Sequence, residues 1–227
     1  MSEKIKKDKE IEHYFPYFVL GFQDGLVNVF GVILAVAIGT FNSSVTILAG
    51  LAAAFAESIS MGAVAYTSTN AEKARYEKAV KELKEMDEKE LAKHIKNILT
   101  NSGIDSKNAN TIAKILEKNK KATINFLIQN ELKINNEIDD PKKYGFIVLF
   151  SSIIGSFVPL ISFFFLSIET AIISSVILSA LTLFLTGIYK SKIYKTDPIK
   201  EGLEFFFIGM TSAIIGAFIG YVFGVKW

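Results

Sequence analysis

Cysteine is absent from this chain. That removes disulfides, zinc knuckles and cysteine-held clusters from consideration. Histidine is nearly absent, and His13 and His94 are too few for a metal cage built from imidazoles. No glycine-rich phosphate loop is present, so ATP-driven pumping is not expected. No Ser/His/Asp arrangement suits catalysis, and no basic, aromatic-studded stripe suits nucleic acid. Neither an enzyme nor a nucleic-acid binder is expected. A cleavable leader is not expected either: the first apolar run is long, carries an acid and lacks a small-residue cleavage site.

What the chain does have is segregation. Half of its 227 residues are hydrophobic and 21% are charged, and the two classes occupy different stretches, as in a membrane protein. Five apolar runs are long enough to cross a hydrocarbon core of about 30 Å. They lie near residues 17–38, 45–68, 144–166, 171–189 and 203–225. Residues 144–190 form one stretch too long for a single helix, with residues 167–170 as its only polar interruption, and read as a hairpin with a tight turn. The expected fold is all-α and polytopic. It has five transmembrane helices and a three-helix cytoplasmic insert between the second and third. The corresponding domains are 1–69, 70–143 and 144–227.

Lys and Arg set the expected orientation. With the N-terminus inside, segments 1–16, 69–143 and 190–202 are cytoplasmic and hold 24 of the 25 basic residues. The outer loops 39–44 and 167–170 hold none, and Lys226 alone lies outside. This pattern predicts a cytoplasmic N-terminus and an external C-terminus. An odd number of spans excludes a simple repeat of equal halves and leaves room for a pathway between two copies.

The insert is Lys/Glu-rich and periodic. Residues 71–99 contain no Pro or Gly and read as one long helix continuing from the second span, with Val80, Leu83, Leu91, Ile95, Ile98 and Leu99 as its apolar stripe. Asn101-Ser102-Gly103 reads as its stop, with Gly103 in the left-handed cap. A second helix is expected over 107–118, started by Ser106, with Ile112, Ile115 and Leu116 on one face. A third is expected over 121–132, with Ile124, Leu127 and Ile128 apolar, and Pro141 closes the segment. Acids crowd the first helix, Glu77, Glu85 and Glu88 among them, and Glu131 comes close if the third helix folds back. Such a cluster offers hard oxygen ligands to a cation. The alternative is a solvated helix stabilised by Glu–Lys pairs four residues apart.

The acids inside the apolar runs are the more informative ones. Asp24 lies in the first span, one turn before Asn28, among Gly21, Gln23, Gly25 and Gly31. Glu57 lies in the second, one turn before Met61 and beside the small-residue stripe Gly50, Ala54, Ser58 and Gly62. A charge at bilayer mid-depth costs at least about 2.5–3.5 kcal/mol, so an acid there marks a functional site by default. Acids beside a thioether suit a transition-metal cation, and a buried carboxylate can exchange a cation for a proton. The plainer readings are an Asp24 hydrated near the interface and a Met61 that fills a gap.

Asp24-Gly25-Leu26-Val27, Glu57-Ser58-Ile59-Ser60-Met61-Gly62 and the acidic helix issuing from the second span together resemble the vacuolar iron transporter family. The likeness covers nearly the whole chain. It implies a homodimer in the lipid bilayer whose first spans line a pathway, exchanging Fe(II), or Mn(II), for protons and moving metal out of the cytoplasm. No cofactor is implied, since the metal is cargo. Asp24 and Met61 match the family's pathway aspartate and methionine, with Asn28 and Glu57 beside them. Glu77, Glu85, Glu88 and Glu131 match the glutamates of its cytoplasmic metal-binding helices. Two departures stand out: Leu127 and Ile128 replace a methionine pair, and Ala65 replaces a glutamate that follows the Ser-Met patch. The resemblance implies a cell-membrane location in a prokaryote and a vacuolar one in a eukaryote. Two rival readings are a manganese or broad divalent carrier and a membrane-anchored assembly protein without transport.

Overall fold

The computed structural model describes residues 3–117, 119–130 and 140–224. Among the described residues there are eight helices and no strand: α1 (Glu3–Thr40), α2 (Ser43–Glu85), α3 (Glu88–Asn101), α4 (Ser106–Glu117), α5 (Lys120–Asn130), α6 (Pro141–Phe165), α7 (Ile168–Tyr194) and α8 (Pro198–Phe223). Five of them, α1, α2, α6, α7 and α8, are long and apolar enough to cross a membrane. The chain divides into one unit formed by Met1–Tyr66 and Lys142–Trp227, and a second formed by Thr67–Pro141.

Close helix packing builds the first unit. The helix α1 packs on α8, and α8 on α7. Small residues allow the approach, which drives helix association where no hydrophobic effect operates. A methyl group on Gly216 of α8 would sit 2.1 Å from the Gly31 carbonyl oxygen of α1. One on Gly25 of α1 would sit 2.3 Å from the Ser152 carbonyl oxygen of α6. The α2 stripe Gly50, Ala54, Ser58 and Gly62 is buried along its length. The connections are shorter than the sequence suggests. Only Phe41 and Asn42 separate α1 from α2, and Asn42 accepts a hydrogen bond from the Val45 amide. Between α7 and α8, Lys195 takes a left-handed conformation, and Asp197 with Pro198 starts the next helix.

Aromatic rings gather where α1 and α6 begin: Tyr17 stacks edge-on to Tyr144 at 4.2 Å, and His13 Nε2 lies 2.7 Å from the Tyr144 hydroxyl. The Lys143 ammonium sits 3.9 Å from the centre of the Tyr14 ring. Where α7 ends and α8 begins, Lys190 pairs with Glu201 at 2.7 Å. Rings and cations of this kind suit a membrane–water boundary.

The second unit corrects the expected single helix over 71–99. Its chain breaks at Met86–Asp87, because Asp87 caps α3 and forms a capping box with Glu90. A capping box competes with helix continuation without needing Pro or Gly, so the absence of those residues misled. Gly103 does take the left-handed conformation, at φ +91°. The start of α4 is capped by Asp105 rather than Ser106: its carboxylate accepts from the Lys107 and Asn108 amides, each at 3.0 Å. Pro141 begins α6. The core of this unit holds Leu83, Leu91, Ile95, Leu99, Ile124, Leu127 and Ile128, with Ala109 and Ala113 from α4. Ile115, expected on the buried face, is 64% exposed, because the small alanines let α4 come close by its other side.

Candidate metal pathway

Three of the four membrane residues singled out from the sequence meet between α1 and α2. The Asn28 side-chain amide donates to Glu57 Oε1, and the Asp24 carboxyl reaches the same Glu57 group. The spacing explains this: Asp24 and Asn28 are one turn apart, so both present to the same stretch of the neighbouring helix. Asp24 and Glu57 are half-buried and Asn28 is exposed, so the group opens to the surface of this unit. Met61 follows Glu57 by one turn on α2 and is half-buried. Two carboxyl groups this close repel when both are ionised, unless a proton or cation is held between them.

Ser58 was expected only as a small packing residue, and its hydroxyl contact behind the acids was not anticipated. Ser58 donates to Ser152 of α6 at 3.0 Å, next in sequence to Glu57, and both hydroxyls are fully buried. Ser152 and Ser156 lie one turn apart with Gly155 between them, a small-residue pattern that was legible and overlooked. These contacts tie α1, α2 and α6 into one frame behind the carboxyl pair.

The acids of the second unit are less gathered. Glu77, Glu85 and Glu88 are exposed. Glu85 lies on α2 and Glu88 on α3, with the break between them, so helical spacing no longer puts them on one face. Glu85 pairs with Lys81 at 3.9 Å. Glu131 lies outside the described residues. Among those described, no three His, Asp or Glu side chains are grouped to hold a metal ion. Leu127 and Ile128 are buried in the unit's core, at 0% and 4% exposure.

The sequence model of the VIT family matches residues 16–221. The vacuolar iron transporter 1 of Arabidopsis thaliana is 28% identical over 199 residues, which cover 84% of this chain and 78% of the relative. The vacuolar iron transporter of Centaurea cyanus is 27% identical over 222 residues, 92% of this chain and 89% of the relative. That of Plasmodium falciparum is 23% identical over 218 residues, 90% of this chain and 80% of the relative.

Proposed function

This chain belongs to the VIT family, whose members are transporters, and from that premise we propose that it exports Fe(II) from the cytoplasm in exchange for protons. Asp24, Glu57 and Met61 ligate the passing ion, and Asn28 orients Glu57. The observation that carries this reading is the meeting of Asp24, Asn28 and Glu57 at the contact of two membrane-length helices. Mixed oxygen and thioether donors favour Fe(II) over Mg(II) or Ca(II). Exchange follows from the carboxyl pair: cation binding displaces the proton held there, and release of the cation lets the proton return.

An exposed polar group at bilayer depth needs protein or water over it. A second copy of the chain supplies that cover, with its own α1 opposite, and the pathway runs between the two. The N-terminus and the 67–141 unit are cytoplasmic, a reading that the distribution of Lys and Arg supports, and Glu77, Glu85, Glu88 and Glu131 collect metal on that side.

The test is flux of Fe(II) into proteoliposomes under a pH gradient. Asp24→Ala and Met61→Ala each lower the rate by about an order of magnitude. If both carry Fe(II) at the parent rate, the ligand assignment is wrong. One observation favours a second reading, a broad divalent carrier that also accepts Mn(II): the exposed candidate donors of the insert, Glu77, Glu85 and Glu88, are all hard oxygen ligands. Equal competition by Mn(II) in the same assay selects that reading.

A further inference from the structure

A groove of about 410 Å³ lies between α2 and α6, within the first unit. Its floor is bare because two glycines meet there. A methyl group on Gly145 would sit 2.9 Å from the Gly62 carbonyl oxygen, and one on Gly62 would sit 2.8 Å from Leu149 Cβ. The walls are apolar side chains. Ile59 of α2 is 60% exposed and Phe146 of α6 is 59% exposed, with the Phe150 ring stacked beside that of Phe146. On both helices the lining recurs at i, i+3, i+4 and i+7. It therefore occupies one face of each helix and extends for about 10 Å.

The two ends of the groove differ. Tyr66 and Lys142 line it where α6 begins, and both are exposed. Ile59 and Leu149 line the other end, about two helical turns deeper. A phenol and an ammonium thus stand at the membrane–water boundary, and apolar side chains lie beyond them. A phospholipid divides in the same way, into a polar headgroup and a hydrocarbon chain. From this we infer that the groove binds a phospholipid with an acidic headgroup, its acyl chain between α2 and α6 and its phosphate at Lys142 and Tyr66.

The acyl chain alone gives no preference among lipids, since every tail is as apolar as the groove walls. The headgroup does. Lys142 carries a cation on a long stem that reaches headgroup level while its methylenes stay on the groove. Lys143 adjoins it, with its ammonium over the Tyr14 ring, and Asp140 offsets one of the two charges. The balance is positive, which favours an acidic lipid. An ammonium has three donors, so Lys142 can serve a phosphate beside any other acceptor.

A second copy of the chain does not compete for this place. Ile59 and Tyr66 stand about half a turn around α2 from Glu57. A copy that covers Asp24, Asn28 and Glu57 leaves the groove facing lipid. The inference rests on the five helices crossing a bilayer and not on the ion carried, so it and the transport reading can fail separately.

Tryptophan occurs once, at residue 227, so a single probe can be placed in the groove. In a Trp227→Phe background, Phe146→Trp puts an indole in its wall. The full chain is reconstituted into vesicles in which either phosphatidylglycerol or phosphatidylcholine carries bromine on its acyl chains. Quenching is compared at equal mole fractions. Brominated phosphatidylglycerol quenches with an apparent affinity about fivefold higher, the effect of one cation near a headgroup. Lys142→Gln abolishes that preference, and so does Ala63→Phe, which fills the groove from its exposed α2 side. Phe207→Trp, on the exposed surface of α8, shows no preference. Soluble glycerol phosphate does not compete. Unchanged helicity by circular dichroism establishes that each variant is folded. The inference is overturned if Phe146→Trp shows no preference, if Phe207→Trp shows the same one, or if both substitutions leave it intact. Competition by glycerol phosphate, or quenching by neither lipid because protein covers the groove, overturns it equally.

Discussion

A carboxylate on a membrane-length helix needs company, and Glu57 has two neighbours, the Asn28 amide that donates to it and the Asp24 carboxyl beside it. The spacing of Asp24 and Asn28 within one helix was legible, because i and i+4 share a face on any helix. Their meeting with Glu57 was not, since it depends on which face of α2 turns toward α1. Leu127 illustrates the opposite case. The resemblance to the family implies a methionine ligand at its place, but the Leu127 side chain is fully enclosed by the insert core. A methionine there would remain inside the core. Leu127→Met is therefore expected to cost less than about 1.5 kcal/mol, as other volume-conserving core exchanges do, and to leave metal affinity unchanged. Thermal unfolding and a metal titration of the variant check both halves of that expectation.

The elements that were hardest to delimit are those ended by side-chain caps. The apolar periodicity of α3 and α5 was readable, and seven expected core positions, Leu83, Leu91, Ile95, Leu99, Ile124, Leu127 and Ile128, are buried together, whereas α4 buries Ala109 and Ala113 and leaves Ile115 exposed. Where each helix starts was decided by Asp87 and Asp105, whose hydrogen bonds are worth no more to the chain than those of any other turn residue until the local backbone is set. Asp105 also carries a pH signature. The Asn108 amide, and then that of Lys107, hold its carboxyl below its ordinary value of 3.8. A lowered folded-state value means that its contribution is fully present above the unfolded value and is lost as pH falls through the folded one. The start of α4 should thus be intact at neutral pH and fray in acid below about 3.8. Amide protection at Lys107 and Asn108 as a function of pH tests this. Asp105→Asn keeps an acceptor but does not titrate, and should abolish the pH dependence.

At the scale of the molecule, the distribution of Lys and Arg makes a definite topology prediction, and the lack of cysteine makes it easy to test. Ser44→Cys, exposed beside the α1–α2 turn, should react with an impermeant thiol reagent from outside. Lys107→Cys, exposed on α4, should react only after the membrane is opened. The reverse pattern would invert the orientation and with it the direction of transport. The five membrane-length helices and the polar insert were evident from hydropathy, because crossing a bilayer imposes length and apolarity on every span.

The amino-acid order alone was enough for the number of membrane-length helices, the helical class, the acids within those apolar runs and the family likeness, since each depends on local composition or short spacing. Only the tertiary structure decided that Asp24, Asn28 and Glu57 converge, that Ser58 and Ser152 join behind them, and that the chain breaks at Met86–Asp87. Those outcomes depend on the rotation of one helix against another and on a single capped break. Both are settled by packing across residues far apart in the chain or by a side-chain hydrogen bond that periodicity does not register.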